Sequence, residues 1–496
     1  MEKALQTKKT NRPLVLASIM IAMFMSAVEA TIVSTAMPQI VADLGKFSLY
    51  SWVFSSYLLM QTVTILIYGK LSDLFGRKPV FLFGVIVFII GSLLCGLAPS
   101  MEMLILFRFI QGFGAGAVQP IATTIVGDIY SKEERAKIQG YLSSVWGISS
   151  ILGPALGGFF VMYANWSYVF WINIPLGIVA LIGVGFFFHE NVDKKKQSID
   201  YLGSALILIG ISALMLVLVE GGIRYSYFSK EIIGLFSVSI LCLVLFIWQE
   251  RRVANPAMPF ELWKNPIISI SNVTSLTTGM ILIGVSSYLP AFVQGVMGKS
   301  ALVAGFSLTT MSIGWPIAST LAGKLVLKYH YRSISIIGGF FLIIGAIVFS
   351  LLTPELGPLW AAFGSFLIGV GMGLTSTTFI IAIQTSVDWS QRGIATATNL
   401  FMRSLGSTVG AAFLGGLLNS RLKREIERSN LSTENVSVDM TNVLLDPVQK
   451  EKLSNTMIQV LEKGLTSGLH TVYLALIFLS VISLIFILKM PKKNKD

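Results

Sequence analysis

Apolar runs long enough to cross a bilayer recur along almost the whole chain, and they leave it one kind of fold. They cover about 14–38, 49–69, 80–98, 101–127, 137–163, 168–188 and 202–221, then about 232–250, 267–294, 302–323, 333–352, 359–385, 394–418 and 467–488. A membrane-spanning helix takes about 20 apolar residues, so these runs predict fourteen transmembrane helices. Hydrophobic residues make up 54% of the 496 and charged residues only 12%, against roughly 25% charged in a soluble domain. Too little polar surface is left for a water-soluble fold, and an all-α polytopic membrane protein is expected. The first run is too long for a signal peptide and continues through Glu29 without a cleavage site, so it reads as a retained span.

An even number of spans puts both termini on one side. With that side cytoplasmic, 24 of the 37 Lys and Arg fall inside, and only Lys46, Arg224, Lys230 and Lys299 lie in short outer loops. This is the positive-inside bias. It accounts for most of the formal charge of +12, and nucleic-acid binding loses its support. Cys95 and Cys242 lie in apolar runs without partner spacing, and His189, His330 and His470 are scattered. Neither a disulfide framework nor a metal centre is expected.

The segment 419–466 is the one sizeable soluble piece. Its Asp446-Pro447 reads as a helix start, and Leu453, Met457, Val460 and Leu461 follow at helical spacing. An extracellular helical hairpin is expected there. The two halves of the chain also echo each other. Gly69-Lys70-Leu71 with Lys78 recurs as Gly323-Lys324-Leu325 with Arg332, Gly112-x-Gly114-x-Gly116 as Gly369-x-Gly371-x-Gly373, and Gly153 as Gly410. The offsets, 254 to 257 residues, argue for duplication. The expected organisation is a six-helix bundle over 1–188, inner loops with two inserted helices over 189–266, and a second six-helix bundle over 267–496 carrying the hairpin. Two such halves around a midplane site, rocking to expose it alternately, are the architecture of many secondary transporters.

Ionisable residues inside spans are costly and usually functional. Glu29 lies in span 1, Arg108 in span 4 and Arg403 in span 13, with Glu220 near the headgroup end of span 7. At about 1.5 Å per residue, Glu29 and Arg108 fall roughly 13 and 10 Å below the outer boundary, so they can meet at one level. Desolvation favours a protonated carboxyl and a nearby cation favours the charged form. A carboxylate between those effects can load and release a proton; a fixed ion pair between two helices is the alternative. Arg403 is a candidate for the same cavity.

The inner loop Gly69-Lys70-Leu71-Ser72-Asp73-Leu74-Phe75-Gly76-Arg77-Lys78-Pro79 is the densest motif. Gly69 and Gly76 permit a tight turn, and Asp73, Arg77, Lys78 and Asp128 are expected to form a latch that breaks as the halves rock. Span 5 carries Gly147, Gly153-Pro154 and Gly157-Gly158. An internal proline kinks a helix and small residues allow close approach, so this span is a candidate pivot. Tyr57, Gln61, Gln119, Asn272, Tyr288, Trp315, Gln384 and Asn399 are candidates to line the cavity. Gly295-Val-Met-Gly298-Lys299-Ser300 has its first glycine too close for a phosphate loop. Without an ATPase module, uphill work must draw on an ion gradient.

Taken together, these residues resemble the major facilitator superfamily, and within it the fourteen-span drug:proton antiporters, from about Leu14 to Lys489. Residues 69–79 resemble the superfamily's inner-loop signature. Arg108-Phe-Ile-Gln111-Gly112-Phe-Gly114-Ala-Gly116 resembles its span 4 motif, associated with proton transfer, and Gly147 through Gly158 its span 5 antiporter motif. Glu29-Ala-Thr31-Ile-Val-Ser-Thr-Ala-Met-Pro38 is similar to the span 1 motif of the fourteen-span group, with Glu29 where Asp is usual. The resemblance implies proton-coupled export of hydrophobic, often cationic drugs from a bacterial plasma membrane, by a monomer in contact with lipid, driven by the proton gradient and without a cofactor. A lipophilic cation also suits a buried carboxylate that exchanges it for a proton. Export of an endogenous metabolite, lipid, siderophore or tetracycline-like compound is the alternative. A membrane-embedded transferase or sensor lacks paired carboxylates, a His cluster or a signalling domain.

Overall fold

The computed structural model describes residues 10–130, 132–190, 201–221, 225–226, 228–253, 258, 260–326, 328–387, 391–428, 438–445 and 454–492. Fourteen long helices follow in order: α1 Arg12–Leu44, α2 Tyr50–Phe75, α3 Arg77–Gly96, α4 Met101–Ile129, α5 Lys132–Tyr163, α6 Tyr168–Phe187 and α7 Tyr201–Glu220. Then come α8 Lys230–Glu250, α9 Pro266–Ala291, α10 Ala301–Leu325, α11 Tyr331–Ser350, α12 Gly357–Thr385, α13 Arg392–Arg428 and α14 Asn455–Leu488. Their starts carry local signals. Asn11 accepts from Leu14 N with Pro13 in the first turn, and Ser100, Ser229, Asn265, Ser300 and Ser454 cap α4, α8, α9, α10 and α14 in the same way. Each cap satisfies an N–H that the helix itself leaves free.

Among the described residues, thirteen helices are long and apolar enough to cross a membrane. The other long helix, α2, spans 26 residues but is diluted by Ser51, Ser55, Ser56, Thr62 and Thr64, all buried. It packs against α4, α13 and α7, so its polar face meets protein and not lipid.

The helix pairings fall into two matching sets. α1 packs on α5 and α6, α2 on α4, and α3 on α4 and α6; α9 packs on α13 and α14, α10 on α12, and α11 on α12 and α14. A shift of eight helices maps the first set onto the second. The glycine triplets follow the same rule. Gly112 and Gly116 close on α2 at Tyr57 and Gln61, and Gly114 on α3 at Phe88. Gly369 and Gly373 close on α10 at Met311 and Trp315, and Gly371 on α11 at Leu342. At each, a Cβ would collide with the neighbouring helix. Lipid tails are as apolar as the helix surface, so close packing of this kind holds such bundles together. The two sets meet through α2–α13 and α5–α10, while α7 pairs with α8 and lies over the α2–α13 seam.

The apolar core is shared at one end and divided at the other. Away from the chain termini, a single cluster joins Met37, Phe47, Tyr50 and Phe54 to Tyr288, Phe292, Leu418 and Tyr473. Tyr50 Oη donates to Ser287 O (2.5 Å), Gln294 Nε2 to Thr35 O (3.1 Å) and Asn419 Nδ2 to Ser48 O (2.8 Å), all between the two sets. At the terminal end the clusters are separate: Val15, Tyr68, Phe81 and Phe188 in one set, Ile267, Phe379 and Ile487 or Ala322, Ile334 and Leu374 in the other. The two sets share one apolar core opposite the termini, the seal between them, and keep separate clusters beside the termini, while Leu59 and Val63 of α2 still meet Phe401 and Met402 of α13.

Two sequence expectations need correction. Gly69 lies inside α2, and the turn to α3 is made by Gly76 alone, at φ +97°. A side chain rarely adopts that conformation. Second, α13 continues to Arg428 and α14 begins at Asn455, so much of 419–466 extends these two helices. Ser454 accepts from Met457 N (3.3 Å), which fixes the start, and Leu461 is buried in the main core. A 3-10 turn, Val438–Leu445, lies between them; Asp446-Pro447 and Leu453 fall outside the described residues.

Candidate functional site

Glu29 and Arg108 meet. Their side chains form an ion pair at 0% and 2% exposure. Arg108 also donates from Nε to Val53 O (3.2 Å) and from Nη1 to Gln111 Oε1 (2.7 Å), and Asn173 Nδ2 donates to Glu29 Oε2 (2.6 Å). Gln111 Nε2 passes the chain on to Ser92 Oγ (2.9 Å). The guanidinium lies 4.2 Å from the Tyr57 ring centroid, within cation–π range. One network therefore ties α1, α2, α3, α4 and α6 together, and both charges find partners for their desolvated atoms, as buried charges must.

Both Glu29 oxygens are engaged and neither faces the space between the two sets. In this conformation the carboxylate is not open to a bound cation. Asn173 is not among the sequence-based candidates and Gln111 enters there only as part of the span 4 motif, although a signal exists for each. Gln111 is one turn from Arg108 on the same helix face. Asn173 is an amide inside an apolar run, at the start of the longer segment of α6 after a break at Ile172.

The proposed cavity residues divide. Tyr57, Asn272, Tyr288 and Asn399 are buried. Tyr57 lies under Arg108; Asn399 Nδ2 donates to Asn272 Oδ1 (3.1 Å); Tyr288 Oη donates to Ala411 O (2.9 Å), with its ring stacked on Tyr50 at 5.8 Å in the seal. Asn272 Oδ1, Asn399 Nδ2 and Tyr288 Oη thus find partners within the packed helices, whereas Tyr57 Oη and Asn272 Nδ2 have none among the described residues. Gln61, Gln119, Trp315 and Gln384 remain partly exposed, and Gln384 Nε2 donates to Thr396 Oγ1 (3.3 Å). Arg403 is half-buried, with its guanidinium 5.8 Å from the Trp315 ring centroid.

Span 5 packs in two directions. Gly153 and Gly157 close on α1 at Thr31, Ile32 and Thr35, whereas Gly158 closes on Leu302 and Ala301 of α10. Pro154 O faces Gly305 of α10. A Cβ at Gly147 would meet Pro316 Cγ of α10 at 3.9 Å, an ordinary contact. The motif thus seats α5 between its own set and the other.

At the terminal end, Arg77 Nε lies 3.0 Å from Asp128 Oδ2, joining α3 to α4, and Lys78 Nζ donates to Phe188 O (2.7 Å). The side chain of Asp73 lies outside the described residues. Glu190, not singled out from the sequence, accepts from Arg77 N (2.9 Å) and Lys78 N (2.8 Å). A carboxylate there satisfies two free N–H groups and the positive end of the helix dipole. Glu190→Gln is expected to cost about 0.5–2 kcal/mol, read as a lowered midpoint in thermal unfolding of the purified protein. An unchanged midpoint would show that the cap contributes nothing.

Comparison with known proteins agrees with this geometry. Residues 19–411 match the family model of the Major Facilitator Superfamily. The chain is 38% identical to Multidrug resistance protein 3 of Bacillus subtilis (strain 168), covering 82% of this chain and 80% of that one. It is 36% identical to Multidrug transporter protein MdtP of the same organism, covering 85% and 78%. Its fold resembles the crystal structure of a bacterial homolog to the human lysosomal transporter Spinster in an inward-facing, unoccupied conformation. The TM-score is 0.70 at 15% identity, covering 96% of this chain and 97% of that one. The chain belongs to the Major Facilitator Superfamily, and it is a membrane transporter and not an enzyme.

Proposed function

We propose that the chain is a proton-coupled antiporter that exports hydrophobic drugs by alternating access across a bacterial plasma membrane. It works as a monomer in contact with lipid, with both termini in the cytoplasm. In this reading α1–α6 and α9–α14 are the two rocking bundles, α7 and α8 are the insert, and the terminal end, where the clusters are separate, admits substrate from the cytosol or inner leaflet. The two curated relatives, named as multidrug proteins, support the substrate class.

The observation that carries the coupling is the position of Glu29. Six residues along the same helix, roughly 9 Å away, Thr35 O accepts the bond from Gln294 that helps seal the far end, and between them Gly153 and Gly157 seat α5 on α1. Protonating Glu29 removes the negative partner of Arg108, and the network must rearrange around an arginine that stays charged. That rearrangement acts on the helix that holds the seal. The inner-loop latch and the span 5 pivot belong to the same cycle.

The test is proton movement in proteoliposomes with an imposed pH gradient on adding ethidium, for wild type and Glu29→Gln. Substrate-triggered flux is expected in wild type and absent in the variant. Flux retained in the variant would leave Glu29 and Arg108 as a structural pair, and no flux in wild type would remove the antiport reading.

A further inference from the structure

Arg403 stands about a third of the way along α13, about 16 Å past its start at Arg392 and about 24 Å before Asn419 in the seal. Three faces of this helix are occupied. Ser404 and Thr408 bond to Thr62 of α2, at 2.7 and 3.2 Å. Gly406 and Gly410 close on α9 at Leu276 and Met280. Met402 and Ala412 join a cluster with Ile211 and Met215 of α7, which covers the outer side. Arg403 is half-buried, with its backbone against Gly279 of α9. Its guanidinium reaches Trp315 of α10, a helix that packs on α5 and α12.

Among the described residues, no carboxylate lies within ion-pair distance of Arg403. Glu29 is engaged by Arg108 and Asn173. An arginine does not shed its proton to escape the cost of burial, and an intramembrane charge without a partner marks a site for one. The guanidinium fork matches a carboxylate with two parallel bonds, and an indole beside it offers a face for an aromatic ring. The same unpaired positive charge disfavours a cation at this point.

We propose that Arg403 and Trp315 recognise the acid group and adjoining ring of aromatic carboxylates, so that the exporter's substrates include amphiphilic organic acids and zwitterions. This deepens the export reading and rests on it. At this one point of the path the expected preference runs opposite to the cationic one implied by family resemblance, so the site adds acids to the substrates and does not replace cations elsewhere.

Binding to the purified full chain in nanodiscs, followed by fluorescence anisotropy, separates the two. The probes are 1-pyrenebutyrate and 1-pyrenemethylamine, which share a ring and differ in the sign of charge. Arg403→Gln is expected to weaken pyrenebutyrate binding at least about tenfold and to strengthen binding of the amine, with Arg403→Lys intermediate for the acid. Three results would overturn the proposal: acid affinity within about twofold of wild type in the glutamine variant, loss of both probes together, or no acid binding by wild type. Monodisperse elution of each variant guards against misfolding, and removing a charge from the membrane interior favours insertion. Ethidium-driven proton flux without acid binding would sink this site and leave the antiporter reading. Acid binding without any coupled flux would do the reverse.

Discussion

Arg108→Ala is expected to abolish transport and to destabilise the protein by about 3–5 kcal/mol, the usual cost of stranding one member of a buried ion pair. Glu29 would be left at 0% exposure with Asn173 as its remaining donor, so it must hold an unpaired charge or take up a proton, and Val53 O and Gln111 would each lose a bond from the guanidinium. Replacing both members should hurt the fold less than removing the arginine alone. In Glu29→Gln/Arg108→Ala no buried charge is left unpaired, so a double-mutant cycle should give a coupling energy of about 0.5–3 kcal/mol. Unfolding midpoints for the four proteins in one detergent would measure it. Additive effects, or an Arg108→Ala protein that melts with wild type, would show that the network does not hold the first bundle together.

Gly158→Leu should act on the conformational equilibrium and not on the local fold. A Cβ at 158 would lie 2.7 Å from Leu302 Cα, 2.9 Å from Leu302 N and 3.0 Å from Ala301 O. These are backbone atoms of the opposite bundle, so no rotamer relieves the contact and α5 must part from α10. Overpacking of this kind costs about 1–3 kcal/mol. Because the strain exists only while the far end is sealed, it shifts the sealed state by roughly 5- to 150-fold against the unsealed one. Spin labels at Lys46→Cys and Lys299→Cys, both exposed in that region, should report a longer distance in the variant, together with weakened transport. Gly147→Ala is the control: its Cβ would meet Pro316 Cγ at 3.9 Å, an ordinary contact, so distance and transport should stay near wild type. Equal effects from both substitutions would argue that span 5 is generally intolerant of side chains and is no pivot.

Several site features were legible because they are one-dimensional. Depth along a span follows from counting residues, which put Glu29 and Arg108 at one level. Repeat offset follows from alignment of the chain with itself, and the two glycine triplets do close on matching neighbours. Partner choice was less legible. Asn272 and Asn399, each read as a separate candidate for the cavity wall, bond to one another in the second bundle. Glu190 is distant in sequence from the inner-loop motif, yet it caps the helix that the motif begins.

By itself the sequence determined a helical membrane protein with an internal duplication and a few costly charges inside its spans. Length, hydropathy and charge placement act locally, and each leaves its mark in order along the chain. Tertiary structure alone decided which face of each helix turns inward. In a soluble protein the apolar stripe answers that question, but here lipid-facing residues such as Phe186 and Phe478 are as apolar as buried Phe47 and Phe292, and periodicity carries little information about burial. Hence the engagement of both Glu29 oxygens, the division of the span 5 glycines between two bundles, and the approach of Arg403 to Trp315 appear only once the helices are packed.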